Sequence, residues 1–214
     1  REAEQLYQKA GQYSPGEWVP LNALATFYFN DARYDESIAT WRQALQLAPD
    51  NVVVMGYIGG ALHMKGQYAE AADTFQRALA LDATTASTWA NLGTARYFQG
   101  QHREAVRAAE KAVALAPDRY LYWGNLGDSY RWSEGLKSKA GGAYGKAIGL
   151  VRERLAVTPH DTRLRSSLAV YLAKSGDTAG ALAELVQLEQ VGESDKGTLF
   201  KAALVHELVH ERDK

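Results

Sequence analysis

The sequence predicts an all-α solenoid, a fold in which pairs of helices stack along the chain, and three observations support that prediction. Residues of the same type recur at a spacing of 34 along most of the 214-residue chain. Within each period, two segments with helical spacing of apolar residues are separated by a short break. Each segment is apolar on one side only. A single helix of this kind would be marginal in water, whereas stacked pairs would bury a continuous core.

Four sets of positions carry the 34-residue spacing. They are the prolines Pro15, Pro49 and Pro117, with Ala83 at the missing place; the small residues Ala10, Ala44, Ala78 and Ala112; the aromatic residues Tyr7, Trp41 and Phe75; and the aliphatic residues Leu24, Ile58, Leu92 and Leu126. Each member of the last set is followed by alanine or glycine. A period of this length is typical of repeat architectures.

The segment between residues 86 and 119 shows the pattern of helices within one repeat. Trp89 and Gly93 lie on one face of a first helix, which Gly100 interrupts. An alanine-rich second helix follows, and Pro117 comes after it because proline cannot continue a helix. Applied along the chain, this pattern gives a half repeat at 1–17, repeats at 18–51, 52–85, 86–119, 120–161 and 162–195, and a half repeat at 196–214.

The repeat at 120–161 is longer than the others. No proline follows its second helix at the usual spacing, and Pro159 is the first residue that would stop it. We therefore expect that helix to run to Val157 and to be about two turns longer than its counterparts.

The repeat at 86–119 resembles the tetratricopeptide repeat (TPR), in which tryptophan, leucine-glycine, alanine and proline follow in that order over 34 residues. Here those residues are Trp89, Leu92-Gly93, Ala105 and Pro117. The resemblance covers essentially the whole chain. It implies a right-handed superhelical solenoid whose first helices line a concave groove, and a non-catalytic scaffold that binds a protein or peptide there.

The candidate binding residues lie on the face of the first helices opposite the packing face, at 100° per residue, except Tyr97 and Arg131, which flank that face. They are Tyr57, Met64, Asn91, Thr94, Tyr97, Phe98, Asn125, Asp128, Arg131 and Trp132. Exposed aromatic and thioether groups would anchor an extended peptide or a partner helix, and asparagine amides can pair with its backbone. The alternative is that these side chains pack against neighbouring helices. Because Arg131 is nearly the only cation at the centre, the TPR subtype that captures chaperone C-termini is not favoured.

The composition argues against several other classes of protein. The 24 basic and 25 acidic side chains give a net charge of −1, without the basic excess typical of nucleic-acid binding. The absence of cysteine excludes disulfides, thiolate metal sites and cysteine nucleophiles. The uncharged run from Asn51 to Met64 is too short for membrane insertion, which takes about 20 residues. We expect no signal peptide, because the sequence opens with charged and polar residues, and we expect no cofactor; the compartment stays open, with the cytoplasm favoured.

Two motifs suggest other chemistry. The segment His206-Glu207-Leu208-Val209-His210 has the spacing of a zinc hydrolase, but no third ligand follows at the usual place. The glycine-rich segment 141–147 lacks the glycine and the hydroxyl residue of a phosphate loop, since Ala140 and Ala147 stand at those positions. We therefore assign no metal site and no catalytic residue, and keep a zinc hydrolase as a remote alternative.

The array begins and ends inside a repeat, which predicts that the sequence is part of a longer bacterial protein whose open ends could associate with copies of themselves. The segment that follows the lengthened helix, Leu168 to Ala173, resembles TPR regions that follow kinase, cyclase or DNA-binding domains. A regulatory or sensor region of a signalling protein is therefore the second functional hypothesis.

Overall fold

The computed structural model describes residues 2–14, 16–191 and 195–210, and it is helical throughout these ranges apart from the connections. The helices are α1 (Glu2–Tyr13), α2 (Trp18–Asn30), α3 (Tyr34–Leu47), α4 (Val52–Met64), α5 (Tyr68–Leu81), α6 (Ala86–Phe98), α7 (His102–Leu115), α8 (Tyr120–Trp132), α9 (Ala140–Val157), α10 (Thr162–Ser175), α11 (Thr178–Val191) and α12 (Lys196–His210), with a 3-10 turn at Lys137–Lys139. The all-α prediction is therefore confirmed for the described residues. Pro15 and the end of the last half repeat, 211–214, lie outside them. None of the described helices is both long enough and apolar enough to cross a bilayer.

The chain divides into two compact units, residues 1–115 and 116–214, which we call unit 1 and unit 2. Unit 1 contains α1 to α7, and unit 2 contains α8 to α12. The organisation of all 214 residues as one continuous solenoid stays a prediction.

Unit 1 is built from helix pairs. The pairs α2/α3, α4/α5 and α6/α7 each pack internally, and α3 and α5 also contact the first helix of the pair that follows. The turns inside the pairs place Ala32, Gly66 and Gly100 in the left-handed region, with φ of 57°, 76° and 74°. These residues are 34 apart and let the chain reverse while the next amide bonds back to the helix, as from Gln67 N to Leu62 O at 2.9 Å. Ala32 adopts a conformation that costs an L residue more than glycine.

The core of unit 1 pairs large aromatic rings with small residues. Trp41 on α3 and Phe75 on α5 are buried, and so are the small residues Ala25 and Gly59 on the first helices. A Cβ added to Gly59 would lie 2.5 Å from Phe75 Cε1, and one on Gly93 would lie 3.3 Å from two backbone atoms of α7. The small residues therefore let the two helices of a pair approach closely.

Replacing Gly59 by alanine should lower the free energy of unfolding of unit 1 by about 1–3 kcal/mol, because the added methyl overlaps a buried ring. The neighbouring Gly60 is the matched control, since a methyl group added there would meet no packed neighbour within 4 Å. Gly60→Ala should raise stability by about 0.5–1 kcal/mol through helix propensity alone. Urea unfolding followed by circular dichroism measures both. Equal stability of the two variants would contradict the close approach of α4 and α5.

Unit 2 contains the long repeat. Its helix α9 begins at Ala140 and ends at Val157, the predicted end. The expected lengthening by two turns is wrong: α9 has 18 residues, whereas α7 has 14, a difference of about one turn. The remaining extra residues lie in the connection 133–139, which includes the 3-10 turn and has Gly135 at a φ of 76°. A proline marks where a helix stops, but not how an insertion is shared between a helix and the turn before it.

The rest of unit 2 packs on α10. This helix contacts α9, α11 and α12, and nine of its residues are buried, which makes it the centre of the unit. Close approach again depends on glycine, because a Cβ on Gly127 would lie 2.5 Å from the Tyr144 ring and one on Gly124 would lie 2.4 Å from the Tyr171 ring.

Candidate functional site

The first helices α4 and α6 of unit 1 form a surface with two adjoining cavities, which we call the α4–α6 surface. One cavity, of about 220 Å³, is bordered by Phe29, Met64 and Thr94 among others. The other, of about 290 Å³, is bordered by Tyr57 and Ser87 among others. Asn91 lines both cavities, so a single amide stands where the two meet. The structure thus brings Tyr57, Met64, Asn91 and Thr94 of the predicted site together.

The Asn91 side chain is exposed, and it forms no hydrogen bond with any residue that the structure describes. An asparagine amide offers two donors and one acceptor oxygen, the pattern that a peptide backbone complements. The Thr94 hydroxyl differs, because it donates to Ala90 O at 3.0 Å within its own helix. Among the polar residues of this surface, Asn91 is therefore the better placed to bind an extended chain.

Phe98 lies at the end of α6 on a platform of other rings. It stacks on Tyr68 with ring centroids 4.9 Å apart and an interplanar angle of 16°, and it meets His63 and Tyr97 edge-on at 5.4 Å. Phe98 is nevertheless 52% exposed. Both interpretations therefore apply to Phe98. One part of the ring packs against neighbouring helices, and the other part is exposed and accessible to a ligand.

Tyr57 is held in the same way, because its ring stacks on the buried Trp41 at 5.3 Å and 26° while 44% of the residue stays exposed. Rings that are already fixed lose little side-chain entropy when a ligand covers them. The surface also stays apolar beside them, since partial burial lowers the pKa of His63 and so favours its uncharged form.

Unit 2 carries the other predicted residues, Asn125, Asp128, Arg131 and Trp132, all on α8. Trp132 is 60% exposed, and Asn125 is half-buried. Asp128 is already engaged: it accepts a hydrogen bond from Tyr144 Oη at 2.7 Å and pairs with Lys174 Nζ at 2.6 Å. The carboxylate thus joins α8 to α9 and α10, and we assign it a structural role rather than a ligand contact.

The sequence analysis missed several residues of these surfaces. Phe29 and His63 border the apolar cavity of unit 1, and they stand 68 and 34 residues before Tyr97. The repeat spacing that selected Tyr97 would have found both. Lys137 lines a cavity of unit 2 together with Arg131, but it lies in the lengthened connection, which has no counterpart in the other repeats and so gave no signal.

The zinc motif lies on α12, where His206, Glu207 and His210 are all exposed. Among the described residues, no group of three histidine, cysteine, aspartate or glutamate side chains is placed to hold a metal ion. The structure therefore adds no ligand to the two histidines of the motif, and the zinc-hydrolase alternative gains no support.

Comparison with known proteins identifies the repeats. Two models of the tetratricopeptide repeat match residues 19–84 and 86–119. No curated protein sequence matches the chain. Among solved structures, MamA aligns with a TM-score of 0.66 at 23% identity, over 72% of this chain and 90% of MamA.

Two further similar structures are described by their peptide sites. YrrB, a TPR protein with an unusual peptide-binding site, aligns with a TM-score of 0.60 at 19% identity, over 92% of this chain and 97% of YrrB. The first TPR domain of Spaghetti, bound to the HSP90 peptide SRMEEVD, aligns with a TM-score of 0.52 at 22% identity, over 53% of this chain and 90% of that domain. At these identities the likeness shows the fold.

Proposed function

Since this chain is a tetratricopeptide-repeat protein, we propose that it is a non-catalytic scaffold that binds an extended peptide segment of a partner protein on the α4–α6 surface of unit 1. The observation that carries the proposal is the position of Asn91, an exposed amide between two cavities. Exposed rings and a thioether flank this amide. The arrangement suits a ligand whose backbone pairs with the amide while its apolar side chains enter the cavities.

The chemistry of the surface supports binding rather than catalysis. Its exposed groups are the Phe98 and Tyr57 rings, the Met64 thioether and the Asn91 amide. The described linings of the two cavities contain no acidic residue, so His63 has no carboxylate partner there for the acid-base pair on which most hydrolytic mechanisms depend. Peptide binding by the structurally similar YrrB and by the Spaghetti domain supports the same class of ligand here.

The proposal is tested by selecting peptides on the intact chain from a random-peptide display library and measuring their affinity for variants. Phe98→Ala should weaken the selected peptides roughly 10-fold or more, because removing an anchoring aromatic ring typically costs about 2 kcal/mol or more of binding free energy. Asn91→Ala should weaken peptides of unrelated sequence to a similar degree, since an amide that pairs with the backbone does not read side chains.

The matched control is Phe200→Ala, which removes a ring that is 71% exposed on α12, outside the α4–α6 surface. It should leave affinity unchanged. Selected peptides that bind Phe98→Ala as tightly as the unaltered chain would contradict the assignment of this surface. A library that yields no enriched peptide would contradict the peptide class of ligand.

A further inference from the structure

A third cavity, of about 270 Å³, lies in unit 2 and differs from the two cavities of the α4–α6 surface in the charge of its lining. Three cationic side chains line it: Arg131 at the end of α8, Lys137 in the 3-10 turn and Lys174 at the end of α10. The described lining contains no acidic residue, and Gly141 of α9 forms part of the wall. The peptide-binding proposal uses none of these groups.

The cations of this cavity are only partly compensated. Lys174 pairs with Asp128, whose oxygens lie 2.6 and 2.7 Å from Nζ. Neither Arg131 nor Lys137 forms an ion pair or a side-chain hydrogen bond with any residue that the structure describes. Three positive charges against one carboxylate leave a local excess of two. Gathering like charges around one cavity is unfavourable unless an anion offsets them.

We propose that this cavity binds a phosphate group, either of a monoester or of free phosphate. Such a group carries close to two negative charges at neutral pH and several acceptor oxygens, which matches the local excess. A single carboxylate would leave one positive charge uncompensated. The Arg131 guanidinium can donate two parallel hydrogen bonds to such oxygens, while Lys137 and Lys174 act as point charges.

The site depends on features that are particular to this repeat. Lys137 belongs to the lengthened connection 133–139, and the shorter turns of unit 1 have no equivalent residue. Gly141 leaves the wall open, because a methyl group added there would meet no packed neighbour within 4 Å. The cavity does not use a phosphate loop, which the sequence excludes. The ligand would be bound by cationic side chains, and not by the backbone amides of a glycine-rich loop.

The test is calorimetric titration of the intact chain with inorganic phosphate, phosphoserine and glutamate at constant ionic strength. Both phosphates should bind saturably, and glutamate should bind at least about 10-fold more weakly because its side-chain carboxylate carries only one charge. Lys137→Ala should weaken phosphate binding roughly 10-fold, since it removes one of the three positive charges that face the anion.

Gly141→Glu is the more stringent test, because it places a negatively charged side chain in the cavity wall and should abolish phosphate binding. Gly145→Glu is its matched control: the same change on the same exposed helix face, at a glycine that is equally free of neighbours and does not line the cavity. Circular dichroism spectra of both variants should match that of the unaltered chain, and their melting curves should match each other, which separates loss of binding from loss of fold.

The outcomes are distinguishable. Phosphoserine binding more tightly than inorganic phosphate would assign the group to a phosphorylated side chain of a partner, and equal affinities would assign it to a small phosphate. Either result supports the site. Absence of saturable phosphate binding, equal affinity of Gly141→Glu and Gly145→Glu, or glutamate binding as tightly as phosphate would each overturn it. Phosphate binding is independent of Phe98, so the peptide proposal can fail without affecting this one.

Discussion

Replacing Trp41 by alanine should lower the free energy of unfolding of unit 1 by about 3–5 kcal/mol, the range observed for deleting a buried tryptophan or phenylalanine. Trp41 is 2% exposed, so nearly the whole indole lies among other atoms. Alanine would leave a cavity that the surrounding helices fill only in part. We expect the melting temperature to fall with the free energy.

The position of Trp41 makes the effect larger than that of an ordinary core residue. Its ring lies on α3 and contacts Phe29 of α2 at 5.9 Å and Tyr57 of α4 at 5.3 Å, so it joins one helix pair to the next. Its indole N–H donates to Asn22 Oδ1 at 2.9 Å. In a repeat protein, stability depends on such interfaces between neighbouring pairs, because each repeat contacts only its neighbours. Loss of this ring weakens the stack and also the support beneath Tyr57.

The measurement is urea unfolding followed by far-ultraviolet circular dichroism, with Trp132→Ala as the matched control. Trp132 is 60% exposed, so the same chemical change there should cost less than about 1 kcal/mol. A similar loss in both variants would contradict the separation of buried and exposed aromatic rings on which the α4–α6 surface also depends. Peptide affinity measured on Trp41→Ala should fall as well, since Tyr57 loses the ring on which it stacks.

Trp41 also shows how much the sequence could reveal. It belongs to the set Tyr7, Trp41 and Phe75, and its place on the apolar face of its helix follows from the repeat spacing. Trp41 and Phe75 are buried, whereas Tyr7 is 38% exposed. The end of α9 at Val157 follows equally well from Pro159. These features depend on the repeat period or on neighbouring residues, so they can be predicted from the sequence.

The features that the sequence could not reveal depend on contacts between distant segments. Nothing in the repeat spacing indicates that Asp128 meets Lys174, 46 residues later, and is thereby occupied. The platform beneath Phe98 requires that Tyr68 and His63 come from the preceding helix pair, which only the stacking geometry fixes. Lys137 lies in an insertion, where a repeat pattern carries no information. The sequence identifies which side chains lie on the ligand-binding face of the first helices, but it does not identify the residues that those side chains contact.

Replacing Asp128 by alanine should lower the free energy of unfolding of unit 2 by about 2–4 kcal/mol, because it removes an ion pair together with a hydrogen bond to a buried tyrosine. The side chains of the pair are 28% exposed for Asp128 and 18% exposed for Lys174, so water screens them less than it screens a surface pair. The loss should therefore exceed the roughly 0–1 kcal/mol of an exposed ion pair.

Two variants divide this loss into its parts. Tyr144→Phe removes the hydroxyl that donates to Asp128 and leaves the ion pair, so it should cost about 1 kcal/mol. Arg163→Ala removes the exposed pair with Asp195, in which the arginine side chain is 80% exposed, and should cost less than about 1 kcal/mol. If Asp128→Ala proved no more destabilising than Arg163→Ala, the carboxylate would not join the three helices, and Asp128 would return to the ligand-binding face on which the sequence placed it.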